Sequence, residues 1–88
     1  MNNHSKELSI IIPCLNEEDT VGICVSKAVK SLEKLNINGE VIVADNGSTD
    51  NSKKISIDNG ARVVDVEIKG YGAAIKAGIK ASSGKYIL

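Results

Sequence analysis

Glu40–Ser52, EVIVADNGSTDNS, is the stretch whose reading decides the fold. Val41, Ile42, Val43 and Ala44 form a short, wholly apolar run, the pattern of a strand buried on both faces of a parallel sheet covered by helices. The run stops at Asp45. Asn46, Gly47, Ser48, Thr49 and Asp50 are turn and cap formers, so a dry strand passes abruptly into a polar turn with a carboxylate at its carboxyl end. In open α/β sheets that edge is where ligands bind.

Working outward, Leu8–Pro13 (LSIIIP) reads as a first strand with Ile10, Ile11 and Ile12 as a continuous buried run, and Pro13 suits its end because it has no N–H for a ladder. A helix to about Asn36 follows. Val21, Val25, Ala28, Val29, Leu32 and Leu35 recur at helical spacing; Glu17, Glu18 and Asp19 suit its positive amino end, and Asn36 and Asn38-Gly39 stop it. Beyond the central stretch, a short helix over about 50–59 is expected, capped by Ser48 or Thr49 with Asp50 in its first turn. A strand over 61–67, a glycine-punctuated loop at Lys69–Gly72 and a helix over about 73–82 come next. Ala74, Ala77, Gly78 and Ala81 give that helix a small-residue face for close approach to the sheet, and Tyr86–Leu88 begins a fourth strand. The fold class is therefore α/β, a Rossmann-like three-layer parallel sheet. If the fourth strand returns beside the first, the order is 3-2-1-4, with a crevice at the carboxyl ends of strands 1 and 4.

Composition narrows the class. With 88 residues the chain is at most one small domain, and 42% hydrophobic with 25% charged residues it is globular. Eleven basic residues balance eleven acidic ones, and ten of the bases are Lys; that balance argues against a nucleic-acid or anionic-membrane surface. Cys14 and Cys24 fit no metal spacing and read as reduced, mostly buried thiols of a cytoplasmic protein. No apolar run approaches a membrane span, residues 1–7 read as a flexible amino terminus with His4 solvated in it, and the ending Lys85-Tyr-Ile-Leu88 reads as a strand cut short, so the chain is expected to be the amino-terminal piece of a larger protein.

Four phosphate or metal motifs are set aside. No Lys-Ser/Thr follows the second glycine as a Walker loop needs, and the glycines follow strand 3 rather than strand 1, with Ile75 at the third small position of a dinucleotide fingerprint. Gly47 falls at a required ligand position of a calcium loop, and Asp45 has no second carboxylate two residues on, as an aspartyl phosphatase requires. What remains is a Pro-x-x-Asn-Glu-Glu turn after strand 1 and an Asp-Asn-Gly-Ser-Thr-Asp turn after strand 2. SIIIPCLNEEDTV, VIVADNGSTDNS and GYGAAIKAGIKASSGKYIL, in this order and spacing, resemble the amino-terminal half of family 2 glycosyltransferases, above all the dolichyl- or polyprenyl-phosphate sugar synthase branch.

The resemblance implies a GT-A fold, with residues 8–88 as its nucleotide-binding half, and a UDP- or GDP-sugar donor. It implies that Pro13, Leu15 and Glu17 of the first turn, with Val43 and Asp45 of the second strand, line the nucleotide pocket, Asp45 accepting from a base N–H and Glu17 binding ribose hydroxyls. Relatives often carry Tyr at the Leu15 position; leucine offers only apolar contact. The family's Asp-x-Asp motif, which holds Mg²⁺ or Mn²⁺ against the diphosphate, would follow Leu88, so no metal and no catalytic residue is expected in this chain, which should not transfer sugar alone. The acceptor implied is a polyprenyl phosphate or glycan at the cytoplasmic membrane face, with self-association through strand 4 or uncovered faces of the sheet. Plainer readings stay open. Glu18 and Asp19 can be helix-start acids, Pro13 a strand stop, Asp45 and Asn46 an Asx turn, Thr49 and Asp50 caps, Gly70 and Gly72 turn residues, and Cys14 structural. Other open readings are a nucleotidyltransferase-like or other α/β nucleotide-binding domain and a non-catalytic interaction module.

Overall fold

A computed structural model describes residues 6–88. Its elements are β1 (Lys6–Cys14), α1 (Val21–Lys34), β2 (Gly39–Asp45), α2 (Ser52–Asp58), β3 (Arg62–Asp65), α3 (Tyr71–Ala81) and β4 (Gly84–Ile87). The four strands form one parallel sheet in the order β3-β2-β1-β4. The α/β class is the one the alternating runs predict, and β4 does return beside β1, the condition on which the expected order 3-2-1-4 rested. β1 and β2 are in register from Leu8 opposite Gly39 to Cys14 opposite Asp45, which brings their carboxyl ends level.

The two faces of the sheet have separate cores. Val21, Val25 and Leu32 of α1 pack on Val41 and Val43 of β2, with Leu8, Ile10 and Ile12 of β1 and Ile55 of α2 around them. Residues of opposite parity face α3, where Ala44 packs with Ala74 and Val66. Alternation of side chains along a strand divides each strand between the two. The small-residue face of α3 does what its composition predicts: a Cβ on Gly78 would lie 2.5 Å from Ile11 Cγ2, so only glycine allows this approach to β1. One helix cannot cover a face that two helices cover on the other side. An open depression of about 690 Å³ remains over β3, floored by Val66, Ala73 and Ala77.

Several boundaries differ from the sequence expectation. β1 begins at Lys6 rather than Leu8, because the Lys6 and Glu7 N–H groups donate to Ser83 O and Asn38 O, so residues 6 and 7 are not a loose terminus. His4 lies outside the described residues. Pro13 lies within β1 rather than ending it. The Ile11 N–H donates to Leu88 O, and an N–H at position 13 would point to that same side. Ile10, Ile11 and Ile12 are half-buried, not dry. α1 stops at Lys34, two residues early: Asn36 adopts φ 55°, the Asn36 N–H donates to Glu33 O and the Ile37 N–H to Leu32 O, a Schellman closure that leaves Leu35 exposed. Cys24 is exposed on α1, contrary to the expectation of two buried thiols; Cys14 is buried. α3 starts at Tyr71 and β4 at Gly84, each two residues before the expected start.

Candidate functional site

Two loops meet above the carboxyl ends of β1 and β2. The first runs from Cys14 to Thr20 and the second from Asp45 to Asn51, and they are bonded to each other more than to themselves. The Asn46 N–H donates to Cys14 O at 2.9 Å, the Asn16 N–H to Ser48 Oγ at 2.9 Å, the Glu17 N–H to Ser52 Oγ at 2.8 Å and the Glu18 N–H to Asp50 Oδ2 at 3.1 Å. Asn16 answers in the other direction: its Oδ1 accepts from the Thr49 N–H at 2.7 Å and the Asp50 N–H at 3.3 Å. Asn16 does this from φ 52°, a conformation Asn tolerates better than most residues. The loops thus form one cross-braced rim.

Asp45 stands at the centre and is fully buried. Its Oδ2 accepts from the Ser48 N–H at 2.8 Å and the Gly47 N–H at 3.2 Å, and its Oδ1 accepts from the Ser48 hydroxyl. The carboxylate closes an Asx turn whose third residue, Gly47, has φ 96°. Three bonds occupy three of about four acceptor sites and leave one lone pair on Oδ1. Next to it, Asn46 is only 6% exposed and braces the third loop: its Nδ2 donates to Ile68 O at 2.9 Å and Val66 O at 3.4 Å, and its Oδ1 accepts from the Gly70 N–H at 2.8 Å.

The other expected pocket residues are placed unevenly. Leu15 is half-exposed on the rim, Glu17 is exposed beside it, and Pro13 is half-buried one residue below the rim. Val43 has no exposed surface, and its side chain packs in the core under α1. Glu17, Glu18 and Asp19 precede α1 rather than occupying its first turn, and the Thr20 and Val21 N–H groups close on Glu17 O. Ser48 and Thr49 do not cap α2; Asn51 holds that position, and the Asp50 carboxylate accepts the Ser52 N–H at 2.9 Å. The Ser52 bonds foremost, with the Glu18 N–H, hold the Asp50 carboxyl below the usual carboxylate range despite some desolvation. Burial pushes the Cys14 thiol up, Asp45 beside it adds to the rise, and contacts with Ser52, Ser48 and the Glu17 backbone only partly oppose it, so Cys14 is a structural neighbour of the site and a poor nucleophile.

Sequence reasoning gave no role to Asn16 or Ser52, offered Ser48 only as a turn former or helix cap, and offered Asn46 only as a turn former. The first is visible in hindsight as an Asn in a turn between strand and helix. Each of the four has a partner 20 to 35 residues away, of which spacing carries no sign. Among the described residues no group of three or more His, Cys, Asp or Glu side chains could hold a metal ion, and no helix is long and apolar enough to cross a membrane.

Residues 9–88 match the family model described as Glycosyl transferase family 2. The chain is 41% identical over 80 residues to the low-salt glycan biosynthesis hexosyltransferase Agl6 of Haloferax volcanii, covering 91% of this chain and 19% of that protein. It is 34% identical over 97 residues to human dolichyl-phosphate beta-glucosyltransferase, covering 96% of this chain and 30% of that one. Among solved structures, glucosyl-3-phosphoglycerate synthase of Mycobacterium tuberculosis superposes with a TM-score of 0.79 at 30% identity, over 98% of this chain and 34% of that one. The same enzyme solved with Mn²⁺, UDP and glucosyl-3-phosphoglycerate superposes at 0.77, with 30% identity, over 96% and 33%. This chain therefore spans about a fifth to a third of the length of these relatives.

Proposed function

The chain belongs to glycosyl transferase family 2, and from that premise we propose that it supplies the nucleotide-binding half of a transferase that moves a sugar from a UDP- or GDP-sugar to a polyprenyl-phosphate or glycan acceptor at the cytoplasmic face of a membrane. One observation carries the proposal: a buried carboxylate, Asp45, sits under two interlocked loops at the carboxyl edge of a 3-2-1-4 parallel sheet, where α/β sheets take their ligands.

In this reading Asp45 takes a base N–H on the free lone pair of Oδ1, reached when the Gly47–Thr49 turn shifts. Leu15 lies against the base face, Pro13 shapes the rim below it, and Glu17 accepts from ribose hydroxyls. Val43 supports from the core without contact. The divalent ion of the reaction, Mg²⁺ or Mn²⁺, would neutralise charge on the diphosphate. Among the described residues no side chains cluster to hold it, and residues 8–88 bind and orient the donor. Self-association is part of the proposal: Tyr86 and Ile87 on the edge strand and Leu88 just past it are exposed, and part of the α3 face is uncovered. Sedimentation that stays monomeric at high concentration would remove that part.

The test is titration of the chain with UDP and GDP by calorimetry, with Asp45→Ala and Leu15→Ala beside the wild type. Binding that Asp45→Ala weakens about tenfold or more is expected for a lost hydrogen bond to a charged group. Wild-type affinity in Asp45→Ala would overturn the assignment. An amide-exchange map that places protection by UDP over β3 rather than over residues 14–20 and 45–52 would overturn the choice of site.

A further inference from the structure

The depression over β3 has an apolar floor and two charged sides. Val66, Ala73 and Ala77 form the floor. Asp65 and Glu67 stand on the strand side, Lys76 and Lys80 on the helix side, and all four are exposed. The two sides do not meet within one chain. Among the described residues no ion pair includes Glu67, Lys76 or Lys80, and Asp65 pairs only with Lys53 of α2, at 3.2 Å through Oδ1. An apolar trough between an acidic and a basic side is a surface made for a cover.

The spacing of the charges says what covers it. β3 and β4 are parallel strands of one sheet, so α3, which connects them, runs back along the trough. Asp65 and Glu67 are two residues apart in extended chain, about 6.6 Å. Lys80 and Lys76 are four residues apart on the helix, about 6 Å. Acids line one side and lysines the other at nearly the same interval. A two-fold axis lying along the trough brings a second copy face to face and exchanges its sides. Glu67 then meets Lys76 of the second copy and Asp65 meets its Lys80, each contact being made twice. A two-fold across the trough would set acid against acid, which is unfavourable. Rotation about the first axis also carries Ile68, 75% exposed on the acidic side, towards Gly72 of the second copy, where a Cβ would meet nothing within 4 Å. We propose that the chain forms a two-fold dimer through this depression, with the acidic side of each copy on the basic side of the other. This rests on the self-association put forward above and gives it a face and a symmetry.

The experiment is sedimentation velocity over a concentration series on wild type, Lys76→Glu/Lys80→Glu and Asp65→Lys/Glu67→Lys, with thermal melts to show that each is folded. Wild type is expected to dimerise. Each reversal sets like charges opposite one another and should weaken the dimer about tenfold or more. An equimolar mixture of the two variants should restore it, because the first then has two acidic sides and the second two basic ones. If Asp65→Lys/Glu67→Lys melts early through loss of the Lys53 pair, Glu67→Lys mixed with Lys76→Glu makes the same comparison. A wild-type chain that stays monomeric would overturn both this inference and the self-association beneath it. A dimer as strong in either reversal as in wild type would place the contact elsewhere and overturn the face alone. Weakened variants whose mixture stays monomeric would overturn the two-fold arrangement.

Discussion

The two ends of the sheet each hold an acid taken largely out of water, and they use it differently. At the amino end Glu40 gathers four parts of the chain. Its Oε2 accepts from the Ser9 hydroxyl at 2.6 Å and the Ser83 N–H at 2.7 Å, and its Oε1 pairs with Arg62 at 2.9 Å, while Arg62 also donates to Ala81 O. That joins β1, β2, β3 and the turn into β4, and the acid is matched by a cation. At the carboxyl end Asp45 is more deeply buried but bonds only within its own turn, to N–H and hydroxyl groups and to no cation. Each acid uses three of about four acceptor sites, so the two differ in what their bonds join. Glu40 ties separate strands together and has a cation as one partner, whereas Asp45 shapes the turn it belongs to.

The largest expected effect tests how little slack the amino end has. A Cβ on Gly84 would run into the backbone of Leu8 and Ser9, which cannot give way, so Gly84→Ala should cost about 3 kcal/mol in urea unfolding. Glu40→Gln should follow, at about 2 kcal/mol, because Arg62 loses its ion partner and the acceptors of Ser9 and Ser83 become poorer; Arg62 is half-exposed, which keeps the loss below that of a fully buried pair. Nucleotide titration of that variant should match wild type. A change in affinity would break the division between the two ends.

Asn46→Ala is expected to cost about 1–2 kcal/mol and, more tellingly, to speed amide exchange at Gly70 and through the β3–α3 loop while leaving β1 unchanged. A smaller effect is the acid limb. Burial alone would raise the Glu40 pKa, but the bonds from Ser9, Arg62 and Ser83 outweigh it and hold it below the ordinary glutamate value of 4.5. A carboxyl depressed in the folded state contributes stability above its unfolded pKa and loses it as pH falls through the folded one. Wild type should therefore lose stability more steeply than Glu40→Gln below about pH 4.5, as followed by urea midpoints at stepped pH. The smallest effect is kinetic: a thiol reagent at neutral pH should label exposed Cys24 at once and Cys14 only slowly. Equal rates would show that the rim over Cys14 opens freely.

Much of this protein was legible in one dimension because hydrophobic runs and turn residues act locally. The dry run at 41–44 and its stop at Asp45, the small-residue face around Gly78 and the alternation of strands with helices are short-range signals, and they determined the parallel sheet, while its order followed only on the condition that β4 returns beside β1. Tertiary structure alone decided which polar groups meet. Glu40 finds Ser83 across 43 residues, Glu17 finds Ser52 across 35, and Lys69 reaches Asn46 across 23. It also decided that Val43 supports the site from inside the core, because a side chain's face is fixed by what packs on it. Desolvation makes each buried polar group require a partner, while the sheet's register chooses that partner, and register is a property of the folded chain.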